Sequence, residues 1–462
     1  MSPDVQKPRV SIIGLGKLGA SMAAGMAHRG FQVVGVDISK KAVDAINQGL
    51  APVHETGLAE MIAANRERLR ATLDTSDAIA HSDISFVIVP TPSDERGAFS
   101  LQYAAYAFEA LGKALRAKNA YHVIVLTSTV LPGATRHGLL PILEKASGKK
   151  CGADFGLCYS PEFIALGTVI RDFLNPDFYL IGEYDARSGD MLELVDRAVC
   201  QKAQPVCRRM TIENAEIAKI ALNSFVTMKI SFANVLADLC ERVPGGDVDV
   251  VSDAIGTDSR IGRKYLSGGL GFAGPCFPRD NVALDFFGRS IGADTSLLNL
   301  NDVYNRRLAD RVVDKVRSTL QPGSNVAILG LAYKPLSHVI EESQGVQLAR
   351  ALSDTGFRVM GYDPLAGEAA RSALAYHALV ADTIEEALVG AQAVIVTTRD
   401  SAFEGLSAER LVSLTGNVHV TVIDCWRFLK VGANEDARVN YIPLGRCLNE
   451  KKAESDLVAL WS

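Results

Sequence analysis

Between Val10 and Asp37 the order of residue types leaves the chain few options. Val10-Ser11-Ile12-Ile13 reads as a short buried strand, and Gly14-Leu15-Gly16-Lys17-Leu18-Gly19 follows at once. Ala20 to Arg29 then carries a helical pattern, and Phe31 to Val36 reads as a second strand ending in Asp37. A GxGxxG between strand and helix makes a tight turn. It lets a pyrophosphate approach a helix N-terminus, whose free N–H groups favour anions. An acid about twenty residues on accepts hydrogen bonds from a ribose 2′-OH and repels a 2′-phosphate. The stretch therefore predicts NAD rather than NADP.

Strand and helix patterns alternate onward. Ile84 to Val89 ends in Pro90-Thr91-Pro92, and Val123 to Leu126 ends in Thr127-Ser128-Thr129. Leu157 to Tyr159 leads into Ser160-Pro161-Glu162-Phe163. In doubly wound sheets ligands lie beyond the carboxyl ends of the strands, so Thr91, Ser128, Thr129 and Glu162 fall where cofactor or substrate would sit. Hydroxyls there also serve as plain caps, and Glu162 also reads as a surface acid.

Thr211 to Cys240 is a long helical pattern with wide apolar faces, ~45 Å at 1.5 Å per residue. Such a helix suits a domain junction and a dimer interface. Lys219 and Asn223 interrupt it one turn apart and share a side, so they call for a partner or a function. Lys229 competes, although its long stem can reach solvent. Gly271-Phe272-Ala273-Gly274-Pro275-Cys276-Phe277-Pro278-Arg279-Asp280 then places a thiol in a turn loosened by glycines and stiffened by prolines. Alone, this would read as a structural turn with a buried cysteine.

Gln321-Pro322-Gly323-Ser324 marks a boundary. Val326 to Leu329, Arg358 to Tyr362, Ala393 to Thr397 and Val420 to Ile423 read as strands of a second Rossmann-like half. Its Gly330-Leu331-Ala332 lacks a full GxGxxG and suits a mononucleotide. The fold class expected is α/β: two doubly wound parallel-sheet domains (1–207 and 319–448) joined by a helical domain (208–318). A charged, flexible tail (449–462) completes it.

A chain of 462 residues is long enough for roughly three cores. The net charge of −5 argues against nucleic acid or an anionic membrane as main partner. None of the eight cysteines forms a CxxC pair, so neither a zinc ribbon nor thioredoxin-type chemistry is expected, and no metal is assigned. Residues 1–9 are polar, no uninterrupted apolar stretch reads as long enough to span a bilayer, and a reducing cytoplasm is the expected location.

The motifs GLGKLG, VPTP (89–92), STV (128–130), SPEF (160–163), AKIALN (218–223), DSRIG (258–262), GFAGPCFPRD and LAYKP (331–335) occur in this order. With them the chain resembles the UDP-glucose/GDP-mannose dehydrogenase family over nearly its whole length. The resemblance implies twofold oxidation of a sugar C6 hydroxyl with NAD. Cys276, Lys219, Asn223 and Asp280 are the implied catalytic set, with Thr129 and Glu162 in the water and proton network. The implied cofactor contacts are Gly14, Gly16, Lys17, Leu18, Gly19, Asp37, Lys41, Thr91, Pro92, Ser128, Thr129 and Arg279. The implied substrate contacts are Glu162, Phe163, Ile164, Leu166, Lys219, Asn223, Arg260, Tyr265, Leu266, Phe272, Gly274, Cys276, Phe277 and Lys334. A homodimer about the long helix is implied, with Arg260 reaching into the partner's nucleotide site.

The chain departs from the family pattern in places. Leu166 stands where a second acid is usual, Pro275 where Ser or Thr is common, and Arg279 where Lys is usual. Asp424-Cys425-Trp426-Arg427 breaks the usual Asp-x-Arg. UDP-glucose is the first substrate expected; TDP-glucose, GDP-mannose and UDP-N-acetylhexosamines are alternatives. A two-electron hydroxyacid dehydrogenase of the 6-phosphogluconate type and a non-catalytic NAD-binding sensor are the more distant readings.

Overall fold

Short β-branched runs separated by helices assemble into two sheets in the computed structural model, which describes residues 7–164, 167–431 and 436–461. The first sheet uses β1 (Val10–Ile13), β2 (Val33–Val36), β3 (Leu69–Thr72), β4 (Ile84–Val87), β5 (Val123–Leu126), β6 (Gly156–Tyr159), β7 (Tyr179–Glu183) and β8 (Cys207–Thr211). The second uses β9 (Asn325–Leu329), β10 (Arg358–Tyr362), β11 (Ala378–Val380), β12 (Ala393–Val396), β13 (Val420–Asp424) and β14 (Val439–Pro443). Their orders are β3-β2-β1-β4-β5-β6-β7-β8 and β11-β10-β9-β12-β13-β14. Every pairing is parallel except β6–β7. Both sheets thus reverse direction between their first strand and their fourth, the doubly wound arrangement. The fold is the expected α/β one, with a helical region between the two sheets.

The chain divides into two compact units, residues 1–221 and 222–462. In the first, successive residues of each strand face opposite layers. Ile12, Phe86 and Val125 meet Met22, Met26 and Phe173 on one side. Ile13, Val87 and Ile124 meet Phe108, Leu111 and Leu143 on the other. Helices on both faces are why these strands read as continuous apolar runs rather than alternating ones. The second unit repeats this with Ile328, Val359 and Ile395 on one face and Leu329, Val394 and Val422 on the other.

The two halves share more than topology. Gly14 and Gly330 have φ of 101° and 107°. A Cβ on Gly19 would lie 1.9 Å from the Gly14 carbonyl oxygen, and one on Gly345 would lie 2.1 Å from that of Gly330. Gly35 packs on Leu15 as Gly361 packs on Leu331. Asp37 and Asp363 each end the second strand of their half and accept backbone N–H groups of the turn.

One expectation is corrected. The segment 449–462 was expected to be a flexible tail, but Glu450–Trp461 is a helix. Asn449 caps it through Lys452 N, the Glu450 carboxylate accepts from Gly245 N at 3.0 Å, and Ala453 is buried. No uninterrupted apolar run is long enough to span a bilayer, as expected, although one punctuated helix reaches that length. Among the described residues, one helix, Ile212–Cys240, is long and apolar enough to cross a membrane by length and composition, with half of its most apolar window buried. Glu213, Glu216, Lys219, Lys229 and Asp238 punctuate it, which hid it from a search for uninterrupted runs. The carboxylate of Glu216 is fully buried and takes N–H groups from Gly133 and Thr135 at 2.5 and 2.9 Å, the contacts of a core helix.

Candidate active site

The first unit presents a dinucleotide cradle. Gly14 and Gly19 cannot carry side chains: a Cβ on Gly14 would meet the Ile88 carbonyl oxygen at 2.1 Å. Gly16 differs, because nothing lies within 4 Å of its missing Cβ. That open space faces the start of the helix Lys17–His28, where no side chain caps the free N–H groups. Lys17 and Leu18 begin this helix half-buried, and Lys41 is exposed on the next one. Asp37 accepts from Leu15 N and Ser39 N, both at 2.7 Å, so it holds the turn while each oxygen keeps a lone pair for a ribose hydroxyl. Ile38, fully exposed beside it, offers an apolar surface that sequence reasoning passed over.

Thr91 and Ser128 sit at strand ends as expected, but their hydroxyls are engaged within the fold. Thr91 Oγ1 donates to the Thr129 carbonyl at 2.7 Å. Ser128 Oγ donates to the Val89 carbonyl and accepts from Val89 N, at 2.7 and 2.9 Å. They tie the β4 and β5 loops together and leave half-buried Thr129 and exposed Pro92 to line the rim. Beyond β6, Lys219 Nζ donates to the backbone carbonyl of Glu162 at 2.7 Å and lies 4.5 Å from the centre of the Phe163 ring. Phe163 is braced by Phe178, with ring centres 5.1 Å apart. Burial pushes the Glu162 carboxyl up to about 7, against the pull of the Lys219 charge. Ile164 is half-buried beside it, and Leu166 lies outside the described residues.

The second unit carries the thiol. Cys276 is exposed and precedes the helix Phe277–Ser290, whose first turn holds Pro278 and Asp280. Negative charge forming on the sulfur would meet the positive end of that helix. Buried Asp280 accepts from Asn223 Nδ2 at 2.7 Å, while Arg279 Nε lies 3.7 Å from its other oxygen. Gly274, at φ 85°, is pressed so closely on Tyr333 that a Cβ would lie 2.4 Å from the ring. Gly274 N also donates to the Glu341 carbonyl at 3.1 Å. Burial, then the nearby Cys276 and Glu341, push the Tyr333 hydroxyl up to about 12, so it stays protonated. Asn305 clamps both sides of Phe272, accepting from its N–H at 2.8 Å and donating to its carbonyl at 3.0 Å. Nothing local in the sequence marks Asn305, because its partner is 33 residues away.

The remaining expected substrate contacts divide by exposure. Tyr265, at φ 68° and half exposed, meets the half-buried Phe277 edge-on. Lys334 is half-buried over Tyr333. Arg260 extends into solvent beside Asp258. Leu266 and Phe272 are buried.

Sequence profiles of the UDP-glucose/GDP-mannose dehydrogenase family match in three consecutive parts: the NAD-binding domain over residues 8–199, the central domain over 213–307 and the UDP-binding domain over 327–431. A UDP-glucose 6-dehydrogenase of Haloferax volcanii is 38% identical over 87% of this chain and 93% of its own. A GDP-mannose 6-dehydrogenase of Pseudomonas aeruginosa is 35% identical over 77% and 81%. The solved structure of a UDP-glucose dehydrogenase from Pyrobaculum islandicum superposes with a TM-score of 0.83 at 32% identity, covering 97% of this chain and all of that one.

Proposed function

The chain belongs to the UDP-glucose/GDP-mannose dehydrogenase family, an NAD-dependent oxidoreductase family of nucleotide-sugar 6-dehydrogenases, and on that premise we propose that it oxidises the C6 hydroxyl of UDP-glucose to the carboxylate through a covalent adduct on Cys276. The observation that carries this reading is an exposed thiol at a helix start, four residues before an acid that is buried and hydrogen-bonded to Asn223. A two-electron alcohol dehydrogenase has no use for that thiol. NAD supplies the hydride acceptor for both oxidations; open Gly16, the uncapped helix start and Asp37 are the residues that would hold it.

Lys219 and Asn223 donate to the oxygen at C6 as negative charge develops there. The Cys276 thiolate adds to the aldehyde carbonyl and gives a thiohemiacetal, which keeps the half-oxidised sugar bound. Loss of hydride from that carbon leaves a thioester. Water, its proton taken by Asp280 or Glu162, then adds to the thioester carbonyl and expels the thiolate, giving the carboxylate. The test is stoichiometry across UDP-glucose, TDP-glucose, GDP-mannose, UDP-N-acetylglucosamine and UDP-N-acetylmannosamine. Two NADH per sugar from UDP-glucose supports the assignment. One NADH and a free aldehyde overturns the chemistry, and two NADH from another sugar alone overturns the substrate.

Glu162 gives this reading a pH signature. Its carboxyl is protonated below about 7 and ionised above it. A base role requires the ionised form, so kcat is expected to rise through that range. Glu162→Gln is expected to flatten the rise, and an unchanged profile would remove Glu162 from the water step.

We also infer that the protein is a homodimer through the long helix. Ile217, Phe225, Phe232, Val235 and Leu239 recur along Ile212–Cys240 and are 38–61% exposed, an apolar stripe too extended for a lone surface. The double variant Phe225→Glu, Phe232→Glu is expected to halve the mass seen by light scattering. A wild-type mass of about 50 kDa, matching the chain's 49.5 kDa, would exclude the dimer.

A further inference from the structure

The second sheet has its own ligand crevice. Strand order reverses between β9 and β12, so the loops after these two strands flank the place where doubly wound sheets take ligands. Gly330–Pro335 follows β9 and carries Lys334, Thr397-Thr398-Arg399 follows β12, and Cys425-Trp426-Arg427 follows β13. The first two loops touch: a Cβ on Gly330 would lie 2.4 Å from Thr398 Oγ1.

Two arginines stand at neighbouring strand ends, and the structure uses them differently. Arg427, at φ 55°, turns its guanidinium inward until the side chain is 1% exposed. Its Nε and Nη2 form a fork on Asp249 at 2.7 and 2.9 Å, Nη2 also donates to the Gly268 carbonyl at 2.8 Å, and Nη1 donates to the Leu444 carbonyl. Four of its five N–H donors are spent within the fold, and the side chain is buried away from solvent. Arg399 is exposed, with its guanidinium carbon 5.0 Å from the centre of the Trp426 ring. That ring is a fixed platform, since Trp426 Nε1 donates to the Thr397 carbonyl at 2.7 Å and Gly269 packs against its face.

The surrounding charges are already matched. Arg427 is held by Asp249, Arg263 by Asp253 and Arg446 by Asp247. Buried Asp424 is satisfied by Trp426 N, Leu429 N and the Tyr441 hydroxyl. Among these four arginines, and among the described residues, only Arg399 has no carboxylate within ion-pair distance. Partial desolvation of its guanidinium, then the neighbouring Arg427 and Arg263, hold its pKa below the usual arginine value, although the residue as a whole is exposed; Asp249 and Asp424 act in the opposite sense. A guanidinium laid on an aromatic platform, with no carboxylate partner, at a switch point suits a bidentate oxyanion such as a diphosphate.

We propose that Arg399 is a substrate-binding residue whose guanidinium, held on Trp426 at the β9/β12 crevice, grips the diphosphate of the nucleotide sugar, while Arg427 is a tie within the fold. The proposal rests on the nucleotide-sugar reading above and adds to it the residue that replaces Arg427 as the anion contact.

The test is calorimetric titration of UDP and of GDP into the full chain, with NAD titrated in parallel, using wild type, Arg399→Ala, Arg399→Lys and Arg427→Lys. Arg399→Ala is expected to weaken whichever diphosphate the wild type binds by roughly 10- to 100-fold. Affinity for NAD and the Tm should stay at wild-type values. KM for the nucleotide sugar should rise in step with that loss, with kcat changed by less than about threefold, the pattern of lost uniform binding. Arg399→Lys should retain part of the affinity, because it keeps the charge but not the fork. Arg427→Lys should lower Tm. Undiminished UDP and GDP binding by Arg399→Ala overturns the proposal, as does a wild type that binds neither. A wild type that binds UDP through Arg399 but turns over no nucleotide sugar would support this contact while sinking the proposed reaction.

Discussion

Cys276→Ala is expected to abolish formation of the carboxylate while leaving the first oxidation in place. The side chain is exposed and packs in no core, so the variant should fold with an unchanged Tm. Without a thiolate no thiohemiacetal forms, and the aldehyde has no covalent hold while spent cofactor leaves. Net four-electron turnover should fall by roughly a thousandfold or more, as when an essential nucleophile is removed. The readout is NADH per sugar, expected to drop from two to at most one, with the aldehyde caught as an oxime by hydroxylamine. Cys276→Ser separates nucleophilicity from size. A hydroxyl at this place is a poorer nucleophile and, once acylated, a poorer leaving group, so an ester adduct should accumulate and appear as added mass on the intact protein. Full turnover in either variant would eliminate covalent catalysis by this residue.

Lys219→Met should cost nearly as much by a different route. Methionine keeps most of the apolar stem but loses the ammonium, which donates to the Glu162 carbonyl at 2.7 Å and lies 4.5 Å from the centre of the Phe163 ring. Loss of a donor aimed at a developing oxyanion typically lowers kcat by about 100- to 1,000-fold. A second consequence separates this role from simple packing. The Lys219 charge holds the Glu162 carboxyl down against its burial. Removing that charge lets the carboxyl rise further, so the midpoint of the pH–rate profile should move above 7. Glu162 would then ionise later, and residual activity should recover toward alkaline pH. A midpoint that stays where it was would show that the two groups do not act together.

Much of this was legible in the chain, for physical reasons that differ from place to place. Ile84–Val87 and Val123–Leu126 are buried on both faces, and Val-Ile-Val-Leu in particular announces itself as a continuous apolar run. Edge strands do not. Leu69–Thr72 alternates buried and exposed residues around Arg70, and Cys207–Thr211 carries Arg208 and Arg209, so neither reads as sheet until a neighbour supplies the ladder. The helix Glu450–Trp461 was missed because its composition is that of a charged tail; one cap and one tie to Gly245 decide it. At the site, Lys219 with Asn223 and Cys276 with Asp280 were legible because each pair is one helical turn apart. Asn305, Tyr333 and Arg399 were not, because each meets residues distant in sequence: Phe272, Gly274 and Trp426. Thr91 and Ser128 lie beyond strand ends as their sequence suggested, but only the fold shows their hydroxyls engaged with Thr129 and Val89.

The paired turns of the two sheets differ where the phosphates and ribose of a dinucleotide would lie. In the first turn a bare α-carbon at Gly16 leaves room for phosphate oxygens. In the second, Ala332 puts a methyl at the equivalent step, and its amide is drawn with that of Leu331 onto one oxygen of Asp363, both at 2.8 Å. The other Asp363 oxygen is taken by Leu365 N and Ala366 N. The second turn thus lacks both features that suit the first to a dinucleotide: the bare α-carbon at the phosphate step, and a carboxylate with lone pairs to spare for a ribose.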